Sequence, residues 1–243
     1  MEKPTQLVSP PIMAQITSTR QYLVGHPLFS LSRAHAECRE LKRNANRHSV
    51  DMEIPVNIPQ HRYKRREGLV HLTNAQKYIG SALANGQSLN EDMLKITAAY
   101  IDGYVGKMVY RNVSAFSKMY NCQYTDPSEI ENQLFSSLDE NEKLKTNFEK
   151  SLHSHFHIAR IHPFTDGNGR LARLVGNALI SLDKLPPVQI HTFERKRYCD
   201  LLNTAHKEYR EDRQIGEAQR MFYDYLAIKV QDSLDKIGAD ILK

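Results

Sequence analysis

His162-Pro163-Phe164-Thr165-Asp166-Gly167-Asn168-Gly169-Arg170-Leu171-Ala172-Arg173 decides how this 243-residue chain is read. An imidazole, a carboxylate, two glycines, an amide and two arginines fall within twelve residues. Glycine on both sides of Asn168 disfavours helix and strand alike, so a loop is expected. After it, Leu171, Leu174, Val175, Ala178, Leu179 and Leu182 recur at spacings of three and four, which predicts a helix to about residue 182. Before it, Leu144, Phe148, Leu152, Phe156 and Ala159 form the same stripe, predicting a helix over about 142–161 that Pro163 stops. The stretch is therefore a turn between two helices that opens onto the N-terminus of the second.

That placement has chemical consequences. The Gly167–Gly169 backbone can turn its N–H groups toward one point, where the helix dipole adds positive potential. This is the geometry of a phosphate site. Arg170 and Arg173 are three residues apart and can share the side of the first turn facing the loop, suiting a polyphosphate gripped bidentately. Asp166 is a hard oxygen ligand of the kind Mg²⁺ requires when it bridges phosphates. His162 alone in the stretch has a pKa suited to accepting a proton near neutral pH. The residues imply a Mg²⁺-nucleotide site beside a general base, and group transfer to a hydroxyl.

At these residues the chain resembles the Fic family, whose motif H-x-F-x-[DE]-G-N-G-R-x-x-R is filled at every specified position by His162, Phe164, Asp166, Gly167, Asn168, Gly169, Arg170 and Arg173. The resemblance implies an all-α fold, a Fic-type helical bundle with a small β-hairpin flap next to the active site. It also implies a protein adenylyltransferase that transfers AMP from ATP to a Ser, Thr or Tyr hydroxyl of a target protein. In that reading His162 is the base and Asp166 holds Mg²⁺ between the α- and β-phosphates. The Gly167–Gly169 backbone and the Asn168 amide hold the α-phosphoryl oxygens, Arg170 the β-phosphate region and Arg173 the γ-phosphate. Phe164 anchors the loop in the core. Residues 109–126, aromatic and β-branched at the ends with a polar middle, read as the hairpin flap. Such flaps hold a target segment by strand addition, and Phe116, Met119 and Tyr120 would be the contacts.

The rest of the chain bounds this reading. A net charge of +5 and 40% hydrophobic residues describe a globular protein whose cations partly serve a phosphate site, and nucleic acid is not an expected partner. Cys38, Cys122 and Cys199 are far apart and outside any C-x-x-C spacing, which points to free thiols in a reducing compartment. No apolar run suggests a signal peptide or a membrane span, so a cytoplasmic location is expected, although delivery into another cell would leave no trace in these features.

Residues 1–68 read as an N-terminal arm and helix with a basic linker, and 69–243 as a Fic-type catalytic domain. Within the first, an irregular arm with a short helix near 13–23 precedes a helix capped by Ser30 or Ser32 and running to about Asn46. Residues 48–70, with Pro55, Pro59 and the run His61-Arg62-Tyr63-Lys64-Arg65-Arg66, read as a loop or short β-arm. Thr73 and Asn90 are expected to cap the next two helices, the second with Met93, Leu94, Ile96, Thr97 and Tyr100 inward. Ser128 with Glu131 is expected to cap another. Further helices are expected from about Thr192 to Arg210 and from about 215 to 237.

Two further groups of residues bear on the site. His153, His155, His157 and His162 crowd ten residues, and His153 with His157 share a face, so a metal site is conceivable, but no H-E-x-x-H pattern accompanies them. His155 resembles a structural histidine common in the helix before the Fic motif. Many Fic proteins are restrained by [ST]-x-x-x-E-[GN], whose glutamate pairs with the motif's second arginine. Ser136–Asn141 matches in full, and Ser49–Glu53 nearly, with Ile54 in place of the small residue. Neither is expected to act, which leaves the site unrestrained or restrained by a separate inhibitor protein. The competing functions are a Fic-like enzyme of different output (deAMPylation, or phosphocholine or phosphate transfer) and a nucleotide-binding interaction module.

Overall fold

The computed structural model describes residues 7–26, 30–54, 61–117, 122–212 and 215–241. Its regular structure is helical apart from one two-stranded ladder, matching the all-α class with a small hairpin. The helices are α1 (Pro10–Gly25), α2 (Leu31–Asp51), α3 (Arg62–Ala84), α4 (Glu91–Ile101), α5 (Ile130–Glu142), α6 (Asn147–Ile161), α7 (Asn168–Leu182), α8 (Arg195–Asp212) and α9 (Glu217–Ile241). Strands β1 (Phe116–Ser117) and β2 (Cys122–Gln123) pair antiparallel, Phe116 opposite Gln123. No helix among the described residues is long and apolar enough to cross a membrane.

The chain divides into two compact units, Asn46–Lys184 and Met1–Ala45 with Leu185–Lys243. In the latter, α1 and α8 both pack on α9. Ala34, Leu41, Ile237 and Ile241 form an apolar cluster there, and the Gln189 amide donates to the Leu41 carbonyl at 2.8 Å.

The unit Asn46–Lys184 carries the motif and is built on the α6–α7 pair. A capping box starts α6: the Glu149 N–H donates to Thr146 Oγ1 at 3.1 Å and the Thr146 N–H to Glu149 Oε2 at 3.3 Å. Phe148, Leu152 and Phe156 are buried along it, each stabilising the fold by about 1.5–3 kcal/mol. At Gly176 α7 lies close on α6, where a β-carbon would stand in ordinary contact, 3.4 Å from the Ser151 carbonyl oxygen and 3.5 Å from His155. Helices α3 and α4 pack on α7, and α5 packs on α6.

The largest departure from the sequence expectation is at 48–70. Helix α2 continues to Asp51, and α3 begins at Arg62, so the basic run is the first turns of a helix and not a loop or β-arm. Its residues are good helix formers, and Arg65 ties the two helices by donating to Asp51 Oδ1 from Nε at 2.7 Å and from Nη2 at 2.5 Å. Pro55 and Pro59 lie outside the described residues. Thr73 is not a cap; it sits inside α3 with its hydroxyl donating to the Leu69 carbonyl at 2.7 Å. The expected irregular arm holds the longer helix α1, with prolines in its first turn, where a missing N–H costs nothing.

Asn90 does cap α4, accepting from the Met93 N–H at 2.9 Å, but Tyr100 is exposed. Asp126, not Ser128, caps the turn before α5. The helix before the motif starts at Asn147, not 142, because α5 runs to Glu142 and a short break separates the two. Of the proposed flap contacts, Phe116 lies half exposed on β1, while Met119 and Tyr120 lie outside the described residues.

Candidate active site

Helix α6 ends at Ile161 and hands the chain to His162, which takes a left-handed conformation (φ 55°, ψ 57°). Pro163 excludes helical geometry for the residue before it. The His162 ring turns Nδ1 toward the Ala159 carbonyl at 3.4 Å. A carbonyl only accepts, so Nδ1 carries the proton and Nε2 keeps its lone pair. Burial pulls the His162 pKa down to about 4, with the Arg111 charge acting the same way and the Ala159 carbonyl, Glu53 and Asp166 opposing. At neutral pH His162 is uncharged, the form a general base needs.

Phe164 is fully buried against Tyr110, ring centroids 5.7 Å apart. Asn168 closes the loop on it: Oδ1 accepts from the Phe164 N–H at 2.9 Å and Nδ2 donates to the Phe164 carbonyl at 2.7 Å. The Asn168 amide thus braces the loop from within, a role the sequence assignment to the phosphate did not include. Gly167 takes φ 76°, a left-handed turn that its missing β-carbon permits. The first bond of α7 closes from the Leu171 N–H to the Gly167 carbonyl at 2.8 Å. This leaves the N–H groups of Asn168, Gly169 and Arg170 as the open donors of the helix end.

Asp166 is 77% exposed at the mouth of this cradle, with Oδ1 accepting from the Gly167 N–H at 2.6 Å. Arg170 lies between two carboxylates, Nη2 at 3.2 Å from Asp166 Oδ2 and 3.8 Å from Asp102 Oδ1. Its Nε is buried and finds no hydrogen-bond partner among the described residues, a donor waiting for an acceptor. Arg173, 9% exposed, donates from Nε to Ser49 Oγ at 2.8 Å, and from Nη2 to the Ser49 carbonyl at 3.3 Å and Glu53 Oε1 at 3.2 Å. A β-carbon on Gly169 would lie 3.2 Å from Arg173 Nη1 and 3.3 Å from Glu53 Oε1, so the Glu53 carboxylate sits against the cradle itself.

Residues 88–180, which span this loop and the helices flanking it, match the model of the Fic/DOC family. They are a Fic domain. The chain is similar to a protein adenylyltransferase Fic of Nematostella vectensis, 28% identical over 161 residues, the match taking in 63% of this chain and 38% of that protein. It therefore spans well under half the length of that relative. A Fic domain containing signaling protein from Bacteroides thetaiotaomicron shares the fold with a TM-score of 0.75 at 21% identity, over 93% of this chain and 96% of that one. A variant of IbpAFic2, solved in complex with adenylylated Cdc42, shares it with a TM-score of 0.52 at 15% identity, over 94% of this chain and 76% of that one.

The two candidate restraint segments separate cleanly. Ser136 Oγ donates to Glu140 Oε1 at 3.1 Å, and Glu140 lies 3.5 Å from His153, so the full sequence match does not engage Arg173. The near match does: Ser49 and Glu53 both reach Arg173, a contact the sequence expectation had set aside. Ile54, the departure from the pattern, has its Cδ1 3.8 Å from where a Gly68 β-carbon would stand on α3, so its bulk is taken up by packing there.

Two histidines of α6, His153 and His157, come together with Glu140, their ligand atoms within 4.8 Å of one another. The arrangement does not suit a metal. The His153 and His157 rings stack at 4.1 Å and 23°, so their lone pairs run side by side and do not converge. Arg160 Nε donates to His157 Nδ1 at 3.1 Å, leaving the proton on Nε2. His155 is buried and neutral, its pKa lowered to about 3 by burial and by Arg173. The sequence reading set Ser49 and Glu53 aside and missed Asp102, Arg111 and Tyr124. The loose Ser49–Glu53 match was the one local signal for any of them.

Proposed function

We propose that this chain is a protein adenylyltransferase that transfers AMP from ATP to a Ser, Thr or Tyr hydroxyl of a target protein. The observation that carries the reading is the set of the His162 ring: Nδ1 faces the Ala159 carbonyl at 3.4 Å, which leaves Nε2 as the acceptor at the start of a phosphate cradle. In the reaction the target oxygen attacks the α-phosphorus, its proton passes to His162 Nε2, and the bond to the α–β bridging oxygen breaks to release pyrophosphate. The open N–H groups of α7 hold the α-phosphoryl oxygens, Arg170 the β-phosphate through its unpartnered Nε, and Arg173 the γ-phosphate.

Asp166 suits Mg²⁺: it is an exposed hard oxygen donor beside the cradle, and Mg²⁺ uses few protein carboxylates together with substrate phosphates. When bound, the ion would neutralise charge on the phosphates.

Glu53 is the restraint in this reading. It holds the guanidinium meant for the γ-phosphate and places a carboxylate beside the cradle, where the phosphate charge repels it. The flap formed by β1 and β2 would receive the target by strand addition. Incubation with ATP labelled on the α- or the γ-phosphate tests the reading. Covalent α-label that requires His162 is expected. Label from the γ-position alone would point to phosphorylation, and binding without label to an interaction module.

A further inference from the structure

Arg111, 4% exposed, lies just ahead of the flap and uses its guanidinium on four carbonyl oxygens. Nε donates to His162 O at 2.7 Å and Nη1 to Val113 O at 2.8 Å, while Nη2 donates to Thr125 O and to Ile161 O, the latter at 3.3 Å. Its own N–H donates to Pro163 O at 3.0 Å. Three consecutive carbonyls, of Ile161, His162 and Pro163, are therefore tied to one residue at the end of α6, where a helix leaves acceptors unpaired and favours a cation. Val113 and Thr125 flank the two strands, so the same side chain holds both roots of the flap.

Tyr124 makes a second link. Its N–H donates to the Ala115 carbonyl at 3.1 Å, one rung below the β1–β2 pair, and its ring stacks on the His162 imidazole at 3.9 Å and 19°. His162 needs such support, since a left-handed conformation is disfavoured by a β-carbon and persists only where its surroundings impose it.

We propose that Arg111 and Tyr124 are positioning residues that couple the flap to the base. Arg111 fixes the His162 backbone, Tyr124 fixes the plane of its ring, and a target segment pairing on the flap acts on the base through both. The inference rests on the adenylyltransferase reading. Three groups carry charge toward His162: Arg111 from the approach to the flap, Glu53 from the turn after α2 and Asp166 from the loop. A pure charge effect of Arg111 would be kept by lysine, whereas the fork of hydrogen bonds would not.

The test places Arg111→Lys, Tyr124→Phe and Tyr124→Leu in the full chain carrying Glu53→Gly, so that the restraint on Arg173 does not mask the rates. Single-turnover transfer of α-label is read at saturating ATP, ATP affinity by calorimetry, and the His162 tautomer by ¹⁵N NMR. Tyr124→Phe keeps the stack and should stay within about threefold of the parent, while Tyr124→Leu and Arg111→Lys should each lose about tenfold or more in rate with ATP affinity unchanged. The single Nδ1–H tautomer should give way to a mixture in the latter two. Parental rates in both, a loss that follows ATP affinity, or a Tyr124→Phe variant as slow as Tyr124→Leu would overturn the proposal. Should Arg111→Lys not fold, the Tyr124 pair decides. Should the parent transfer no α-label, the adenylyltransferase reading fails, and the tautomer alone decides: unchanged in Tyr124→Leu it overturns the coupling, mixed it supports it.

Discussion

Arg173 and Glu53, 120 residues apart in sequence, meet at 3.2 Å between Nη2 and Oε1. The arginine is nearly buried and the glutamate 40% exposed, so solvent screens the pair and its contribution to stability is small. Its consequence lies in competition. A guanidinium bound to a carboxylate is not available to a phosphate, and a carboxylate against the cradle repels one.

Glu53→Gly removes both obstacles. ATP affinity should rise by about tenfold, the equivalent of about 1.4 kcal/mol, with transfer of α-label rising at least as much. The melting temperature should hardly move. Calorimetric titration with ATP checks the first and autoradiography the second. An affinity equal to wild type would show that Glu53 does not compete. Glu140→Gly serves as the matched control and should change neither quantity, since Glu140 pairs with Ser136 and His153.

This contact also marks where sequence stops being legible. The motif loop, the stripe of α7, that of α6 from Phe148 onward and the Asn90 cap are local, written in residues a few positions apart, and each lies where it was expected. The turn carrying Glu53 was obscured twice. Arg47, His48 and the cationic run after 60 lack the apolar period that announces a helix, so the end of α2 and the start of α3 read as a loop. What fixes Ser49 and Glu53 on Arg173 is the packing of α3 on α7 and the Arg65–Asp51 pair, and none of this has a sequence period. Arg111 is a further case: a lone arginine in an irregular segment has no pattern to reveal four carbonyl partners.

Asn168→Ala separates two roles that the motif alone does not distinguish. Its amide satisfies the buried N–H and carbonyl of Phe164, and losing both bonds should destabilise the fold by about 1–3 kcal/mol. Urea unfolding measures this. Were the amide instead a phosphate ligand, ATP affinity would fall and stability would stay as it was.

Acid should destabilise the protein through α6 and its cap. Burial lowers the pKa of His162 to about 4 and of His155 to about 3, and holds His157 well below its ordinary value. Below about pH 6.5 the unfolded chain binds protons that the native state refuses. The stability these groups confer is fully present above that pH and is lost as pH falls toward their native values. Between pH 6 and 5 the unfolding free energy should therefore drop by more than about 1.4 kcal/mol per pH unit, the slope of a single proton. Urea titrations at each pH check it, and a flat profile would refute it. In His155→Asn the slope should fall by one proton's share.

Asp102→Asn probes the other side of the cradle. Arg170 Nη2 lies between Asp166 at 3.2 Å and Asp102 at 3.8 Å. Burial raises the Asp102 pKa while Arg170 draws it down, as expected for a carboxylate kept partly desolvated beside its cation. If Asp166 were given over to Mg²⁺, as proposed, Asp102 would be left as the anion that keeps Arg170 aimed at the phosphates. The asparagine is isosteric and can still accept a hydrogen bond, so the fold should persist. Without the charge, Arg170 should be held less firmly and ATP affinity should fall by about threefold to tenfold, with the Mg²⁺ dependence unchanged. In Asp166→Asn the Mg²⁺ concentration needed for half-maximal ATP binding should rise instead. Calorimetry across a Mg²⁺ series distinguishes the two carboxylates. Equal shifts in Mg²⁺ dependence from both variants would mean that Asp102, too, serves the ion and is not a dedicated support for Arg170.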